Sequence, residues 1–324
     1  MTLKKIAEIT GFSLSTVSKS FSNSEEIPEE TKKLIFDTAK KLGLYDKYIK
    51  ISNKKPVVAV VCPEICSEYY TNIVDKLRIA LKEHDYLSTV STTDFKLKTE
   101  QELITYYTAY AKVDGIIVVD GKTQAKRYSP IPIIYFGGNA DNPYADVIRL
   151  NRYTGYCDAV KLLKQLGHTK IGFIGDKFNV QKSELLKKIL SDNGLNVYEE
   201  LFITRQDRFE NAGYHGVNQL INANTLPTAI FAGYDYIALG IMKRLNEKNI
   251  KVPEEISLIG NDDITFSSFY NTSLSTISYD VDSTAKLVVD ILIDKIKNKY
   301  KNLIQHVNIR TEFIKRESVG FCKK

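Results

Sequence analysis

The sequence predicts two architectures in one chain: an N-terminal all-α helix-turn-helix headpiece, then an α/β two-lobed core with parallel sheets. Three observations carry this. The first 45 residues show helical periodicity and helix punctuation. From Val57 onward, short apolar runs alternate with amphipathic stretches of helix length, the pattern of parallel strands covered on both faces. That second region is also too long for one sheet of ordinary width, which calls for two lobes.

Each headpiece helix follows from its residues. Leu3, Ile6 and Ala7 share one face of the first helix, and Val17 and Phe21 share one face of the second. Gly11 suits the position that ends helix one, and Ser13 is a good N-cap for helix two. Burying those faces leaves Leu14, Ser15, Ser18 and Lys19 outward, free to enter a DNA major groove; an ordinary helical hairpin in a three-helix bundle shows the same pattern. Ile27–Gly43 reads as a third helix. Pro28 fits N1, Glu29 and Glu30 complement the dipole at the start, Lys40 and Lys41 complement it at the end, and Gly43 stops it.

In the core, strands are expected at Val57–Val61, Gly115–Val119, Ile131–Tyr135, Ile171–Ile174, Ala229–Ala232 and Ser257–Gly260. Helices are expected over 70–84, 97–111, 152–167 and 235–248. Ligands in such folds sit beyond the carboxyl ends of the strands, and two facing lobes bring those ends together in a cleft.

The 324-residue chain carries a formal net charge of +6. Residues 1–56 hold eleven lysines against seven acids, so +4 of the +6 lies in this N-terminal sixth of the chain. A basic end on a nearly neutral body suits phosphate neutralisation, although a solvated lysine-rich surface gives the same balance. No run approaches the roughly twenty apolar residues of a membrane span, and the N-terminus reads as an amphipathic helix instead of a signal peptide; a cytoplasmic location is expected. Cys62, Cys66, Cys157 and Cys322 form no paired C-x-x-C motifs and read as reduced thiols. Four histidines lack metal-ligand spacing, and hydrolase, zinc-protease, P-loop and dinucleotide-binding motifs are absent. No catalytic residue, metal or cofactor is expected, so an enzyme is disfavoured. In Asp262-Asp263, adjacent side chains on a strand end diverge, which lets at most one enter the cleft.

Specific runs point further. Thr16-Val-Ser-Lys19, a short polar link, a Glu-Glu-Thr helix start and Lys40-Lys-Leu-Gly-Leu-Tyr45 resemble the DNA-binding headpiece of the LacI/GalR family of bacterial transcriptional regulators. The runs 166–175, 226–240 and 252–263, then Leu274-Ser-Thr-Ile277, resemble the family's core signatures, so the likeness covers nearly the whole chain. It implies the fold of periplasmic sugar-binding proteins, with crossovers near residues 151, 280 and 310. The implied organisation is a headpiece at 1–45, a shortened basic hinge or linker at 46–56, and an effector-binding and dimerisation core at 57–324. Lobe one would hold about 57–151 and 281–308, and lobe two about 152–280 and 309–324.

The resemblance also implies roles for single positions. Leu14, Ser15 and Lys19 are the base-edge candidates, whereas Thr16, Ser18 and Asn23 position the DNA backbone. Asp262 matches an effector-contacting acid. Lys182 stands where many members carry arginine, which replaces a bidentate fork with a point charge. Asn151 replaces an aspartate, Phe209 matches a stacking aromatic, and Tyr234 either stacks on a ring or fills the pocket. Glu64 and Tyr69 are candidates in the loop after the first strand. Each has a structural reading beside the functional one, and Asp235 reads foremost as a helix cap. The linker lacks the family's Ala-Arg-Ser-Leu core, whose leucine wedges into the minor groove. Ile49 or Ile51 would take that place, unless the segment is a flexible basic tether.

The expected function is a sequence-specific DNA-binding regulator, in this family most often a repressor, for a sugar-utilisation operon. It would act as a homodimer on a pseudo-palindromic double-stranded DNA operator, controlled by a sugar or sugar phosphate. Helix 282–299, with Ala285, Val288, Val289 and Leu292, forms either the dimer face or a face buried in its own lobe. The alternatives are a sugar-binding module and a DNA-binding regulator governed by a partner phosphoprotein.

Overall fold

A computed structural model of the chain describes residues 3–22, 24, 26–45, 47–48, 55–126, 129–138, 142–297 and 303–323. The chain divides into two compact units, one running through Val57 and taking in Lys82–Leu87, the other holding the remainder.

The first unit contains α1 (Leu3–Thr10), α2 (Leu14–Phe21) and α3 (Glu29–Lys41). Ile6, Val17, Phe21, Ile35 and Ala39 meet in its core, so the anticipated faces are the buried ones. Phe21 lies 5.4 Å from Phe36 and 5.6 Å from Tyr48, ring to ring. Gly11 adopts φ 75° after α1, and the Ser13 hydroxyl accepts the Thr16 N–H at 3.0 Å. Pro28 occupies the N-cap and not N1: its ψ of 144° is extended, and helical geometry starts at Glu29. Gly43, at φ 64°, turns the chain so that Leu44 N–H reaches the Ala39 carbonyl at 2.8 Å, a helix stop that glycine makes without strain.

The second unit is built on two sheets. The first joins β1 (Val57–Cys62), β2 (Leu87–Thr92), β3 (Gly115–Val119), β4 (Ile133–Phe136), β5 (Asp146–Asn151) and β11 (His306–Arg310), in the order β11-β5-β4-β3-β1-β2. The second joins β6 (Ile171–Asp176), β7 (Phe202–Arg205), β8 (Ala229–Ala232), β9 (Ser257–Asn261), β10 (Ser275–Ser278) and β12 (Glu312–Ile314), in the order β12-β10-β9-β8-β6-β7. Registers such as Val60 on Ile117 and Phe173 on Phe231 are parallel; β12 runs antiparallel to β10. The chain moves between sheets after β5, after β10 and between Arg310 and Glu312.

Helices α4 (Glu68–Glu83), α5 (Leu97–Ala109), α6 (Arg152–Gln165), α7 (Val180–Asp192), α8 (Phe209–Asn222), α9 (Asp235–Glu247) and α10 (Val281–Ile296) complete this unit. A Cβ at Gly213 would stand 1.9 Å from the Ile237 carbonyl, and one at Gly240 1.9 Å from that of Glu210. Glycine at both places lets α8 and α9 pack backbone to backbone, which sets Phe209 beside Tyr234. On α10, Ala285, Val288, Val289 and Leu292 are at most 2% exposed, and Leu292 packs over Gly115 of β3. The expected dimer face is therefore spent within its own lobe, because a parallel sheet needs apolar cover there. Among the described residues, no helix is long and apolar enough to cross a membrane, and no group of three metal-binding side chains forms.

Candidate functional site

In the first unit, α2 turns Leu14, Ser15, Ser18 and Lys19 outward. Leu14 is 53% exposed, which leaves a large apolar side chain uncovered on an otherwise polar face. Thr16 is tied down instead: its hydroxyl meets that of Ser13 at 2.9 Å. The Lys19 ammonium pairs with the exposed Glu26. Asn23, Ile49 and Ile51 lie outside the described residues.

In the second unit, the carboxyl ends of both sheets open onto a cleft of about 660 Å³. Glu64, Tyr69, Asn151, Lys182, Phe209, Tyr234 and Asp262 all line it, but their surroundings differ. Lys182 donates to the Gly233 carbonyl at 2.7 Å and stands 3.7 Å from the Asp262 carboxylate. Burial lowers the Lys182 pKa and raises that of Asp262, while their mutual attraction opposes both changes. Asp263 turns away to Arg316 at 2.6 Å, so one aspartate of the pair enters the cleft.

Three residues are more committed than their sequence context suggested. Glu64 is bound in bidentate fashion by Arg208 at 2.7 and 3.1 Å, which takes up the carboxylate expected to meet a ligand. Burial works to raise the Glu64 pKa, yet the hydrogen bonds from Arg208 and Cys66 hold it below the usual glutamate value. Asn151 caps α6 by accepting the Tyr153 N–H at 3.2 Å. Tyr234 donates to Asp176 at 2.8 Å and accepts the Phe209 N–H at 2.8 Å, so it braces the wall. Asp235 makes no cap. Its carboxylate accepts from Ile264 N–H, Ser267 and Thr276 at 2.7–3.0 Å, because α9 packs it against β10.

Other wall residues went unnoticed in the sequence. Asp120 follows β3 and accepts from Tyr70 at 2.9 Å and Gly138 N–H at 2.6 Å. Asp176 ends β6 and accepts the Phe178 N–H at 2.8 Å. Arg152 opens α6 beside Asn151. The two acids sit where the strand-end rule places ligand contacts, and that rule was available to find them. At the mouth, Phe95 of one lobe stacks on Phe178 of the other with centroids 4.2 Å apart. The Arg208 guanidinium lies 4.8 Å from Phe95, 5.2 Å from Phe178 and 4.4 Å from Phe209.

Backbone strain gathers here as well. Phe95, Asp120, Phe209 and Asp262 hold φ values of 61°, 48°, 56° and 102°. Left-handed backbone costs a side chain such as phenylalanine about 1–3 kcal/mol and persists where surrounding contacts over-determine it, commonly at ligand sites.

Residues 160–319 match the periplasmic binding protein-like domain family. The chain is 26% identical to the HTH-type transcriptional repressor PurR of Pasteurella multocida over 98% of each chain. Its fold matches the lac repressor dimer bound to operator and the anti-inducer ONPF, with a TM-score of 0.78 at 19% identity over 99% of each chain. It also matches the complex of the transcriptional regulator CelR with cellobiose, with a TM-score of 0.71 at 20% identity over 98% of this chain and 99% of that one. In its three-helix N-terminal unit, its two-lobed core and its end-to-end likeness to such a repressor, the chain is similar to the LacI/GalR family of bacterial transcriptional regulators.

Proposed function

We propose that the chain is a sequence-specific DNA-binding repressor, acting as a homodimer and controlled by a small carbohydrate in the interlobe cleft. The observation that carries this reading is the exposed face of α2, where Leu14 and Lys19 stand out from a packed three-helix unit. An apolar side chain there suits a thymine methyl, and a lysine suits guanine acceptors. Ser15 is a third base-edge contact, while Ser18 and Asn23 serve the phosphates. Thr16, paired with Ser13, holds the start of the helix. Two such headpieces on adjacent major grooves require a pseudo-palindromic site.

The carbohydrate reading draws on the cleft, where carboxylates, cations and aromatic rings stand together as polyol recognition requires, and on the cellobiose complex of the fold relative CelR. Control requires the effector to bind the two lobe arrangements with different affinities. The proposed coupling runs through linker 46–56, with Ile49 or Ile51 as the minor-groove wedge.

Fluorescence anisotropy with a selected operator duplex tests this. Lys19→Ala is expected to weaken specific binding about tenfold and leave sugar binding intact; unchanged specific binding would remove α2 from the interface. Asp262→Ala is expected to abolish the sugar response with DNA affinity retained, whereas a normal response would take Asp262 out of the effector site.

A further inference from the structure

Arg152 lines the cleft at the point where the chain crosses from the first sheet to the second. Among the described residues it forms no hydrogen bond or ion pair. The other inner charges are engaged: Arg208 with Glu64, Lys182 with Gly233 and Asp262, Asp176 with Tyr234, and Asp120 with Tyr70. A guanidinium offers five N–H donors, and those of Arg152, on a half-buried side chain that lines the cleft, are open to an acceptor there. A molecule in the cleft is the natural source of their acceptors.

The surrounding charge decides what kind of molecule. Burial disfavours the Arg152 cation, but its electrostatic surroundings, the Asp120 and Asp262 carboxylates among them, hold its pKa above the ordinary arginine value. The inner cations Arg152, Lys182 and Arg208 face four carboxylates, those of Glu64, Asp120, Asp176 and Asp262, while Lys122 and Lys177 are exposed. A phosphate or carboxylate on Arg152 would meet Asp120 and Asp262 where water screens poorly. Neighbouring hydroxyls meet no such repulsion: they accept from the guanidinium and donate to the carboxylates.

We propose that Arg152 anchors the effector, and that the effector is an uncharged polyol taken through adjacent hydroxyls by Arg152, Asp120 and Asp262. This rests on the carbohydrate reading above and narrows it by excluding sugar phosphates and sugar acids.

Calorimetric titration of the full chain with glucose, ribose, sucrose and cellobiose, beside ribose phosphate and glucuronate, tests it. A neutral sugar is expected to bind and the charged probes are not. Arg152→Gln is expected to weaken that sugar at least about tenfold, with Arg152→Lys recovering part of the loss. Both variants should keep the ligand-free melting temperature and DNA affinity, which a merely structural role would lower. The wild-type titrations decide the charge class even where a variant does not fold. Preference for a charged probe, or a neutral sugar indifferent to Arg152→Gln, overturns the inference and leaves the carbohydrate reading standing. Failure of every probe overturns both.

Discussion

Replacing Arg208 with glutamine removes an ion pair that bridges the two lobes at the cleft mouth. Arg208 binds Glu64 at 2.7 and 3.1 Å, with side chains 26% and 9% exposed. Breaking a fully buried pair from one side costs about 3–5 kcal/mol; the partial exposure of Arg208 reduces this to about 2 kcal/mol. Loss of the cation from among Phe95, Phe178 and Phe209 adds about 0.5–1 kcal/mol. A core of this size loses about 2 °C of melting temperature per kcal/mol, so Arg208→Gln is expected to melt about 5 °C lower. A double-mutant cycle with Glu64→Gln isolates the pair, with an expected coupling of about 1–2 kcal/mol. Small-angle scattering should report a wider average opening of the lobes in both single variants. The pH dependence has a fixed sign. The Glu64 pKa is depressed below 4.5, so its contribution is full above that value and is lost as pH falls through the folded-state pKa. Effects that add to within about 0.3 kcal/mol, with unchanged scattering, would refute the reasoning.

Two further outcomes follow from other contacts. Glu26 holds Lys19 in the free protein, so Glu26→Gln is expected to raise duplex affinity severalfold in anisotropy titrations, most clearly at low salt. Burial pushes Asp235 up to about 7 from an ordinary 3.8, against the hydrogen bonds it accepts. Its folded-state pKa is raised, so its stabilising contribution is present below 3.8 and is lost as pH rises through 7. Denaturant titrations across that range should show this slope in the wild type and lack it in Asp235→Asn.

The headpiece was legible because each boundary has its own chemistry: Gly11 and Gly43 in left-handed turns, Ser13 as a cap, and Val17 and Phe21 one helical turn apart. The central strands β1, β3, β6, β8 and β9 were legible because burial on both faces gives each a continuous apolar stretch. The edge strand β2, Leu87-Ser-Thr-Val-Ser-Thr92, is half solvated and reads as a polar loop. Helix α8 was hidden by Gly213 and Gly216, which lower helix propensity in exchange for close packing. The cleft wall was legible from strand ends and family likeness. The Arg208–Glu64 bridge was not, since its partners are 144 positions apart and meet only when the lobes come together. Asp235 misled for a related reason: its local context offers a cap, and tertiary packing offers three better donors.

The central claim is that α2 reads DNA sequence. Selecting duplexes from a random pool with the full chain, then sequencing the retained DNA, tests it most directly. The account predicts a two-fold symmetric consensus whose enrichment disappears with Leu14→Ala combined with Lys19→Ala. Retention without a consensus, or the same consensus from the doubly substituted protein, would contradict it.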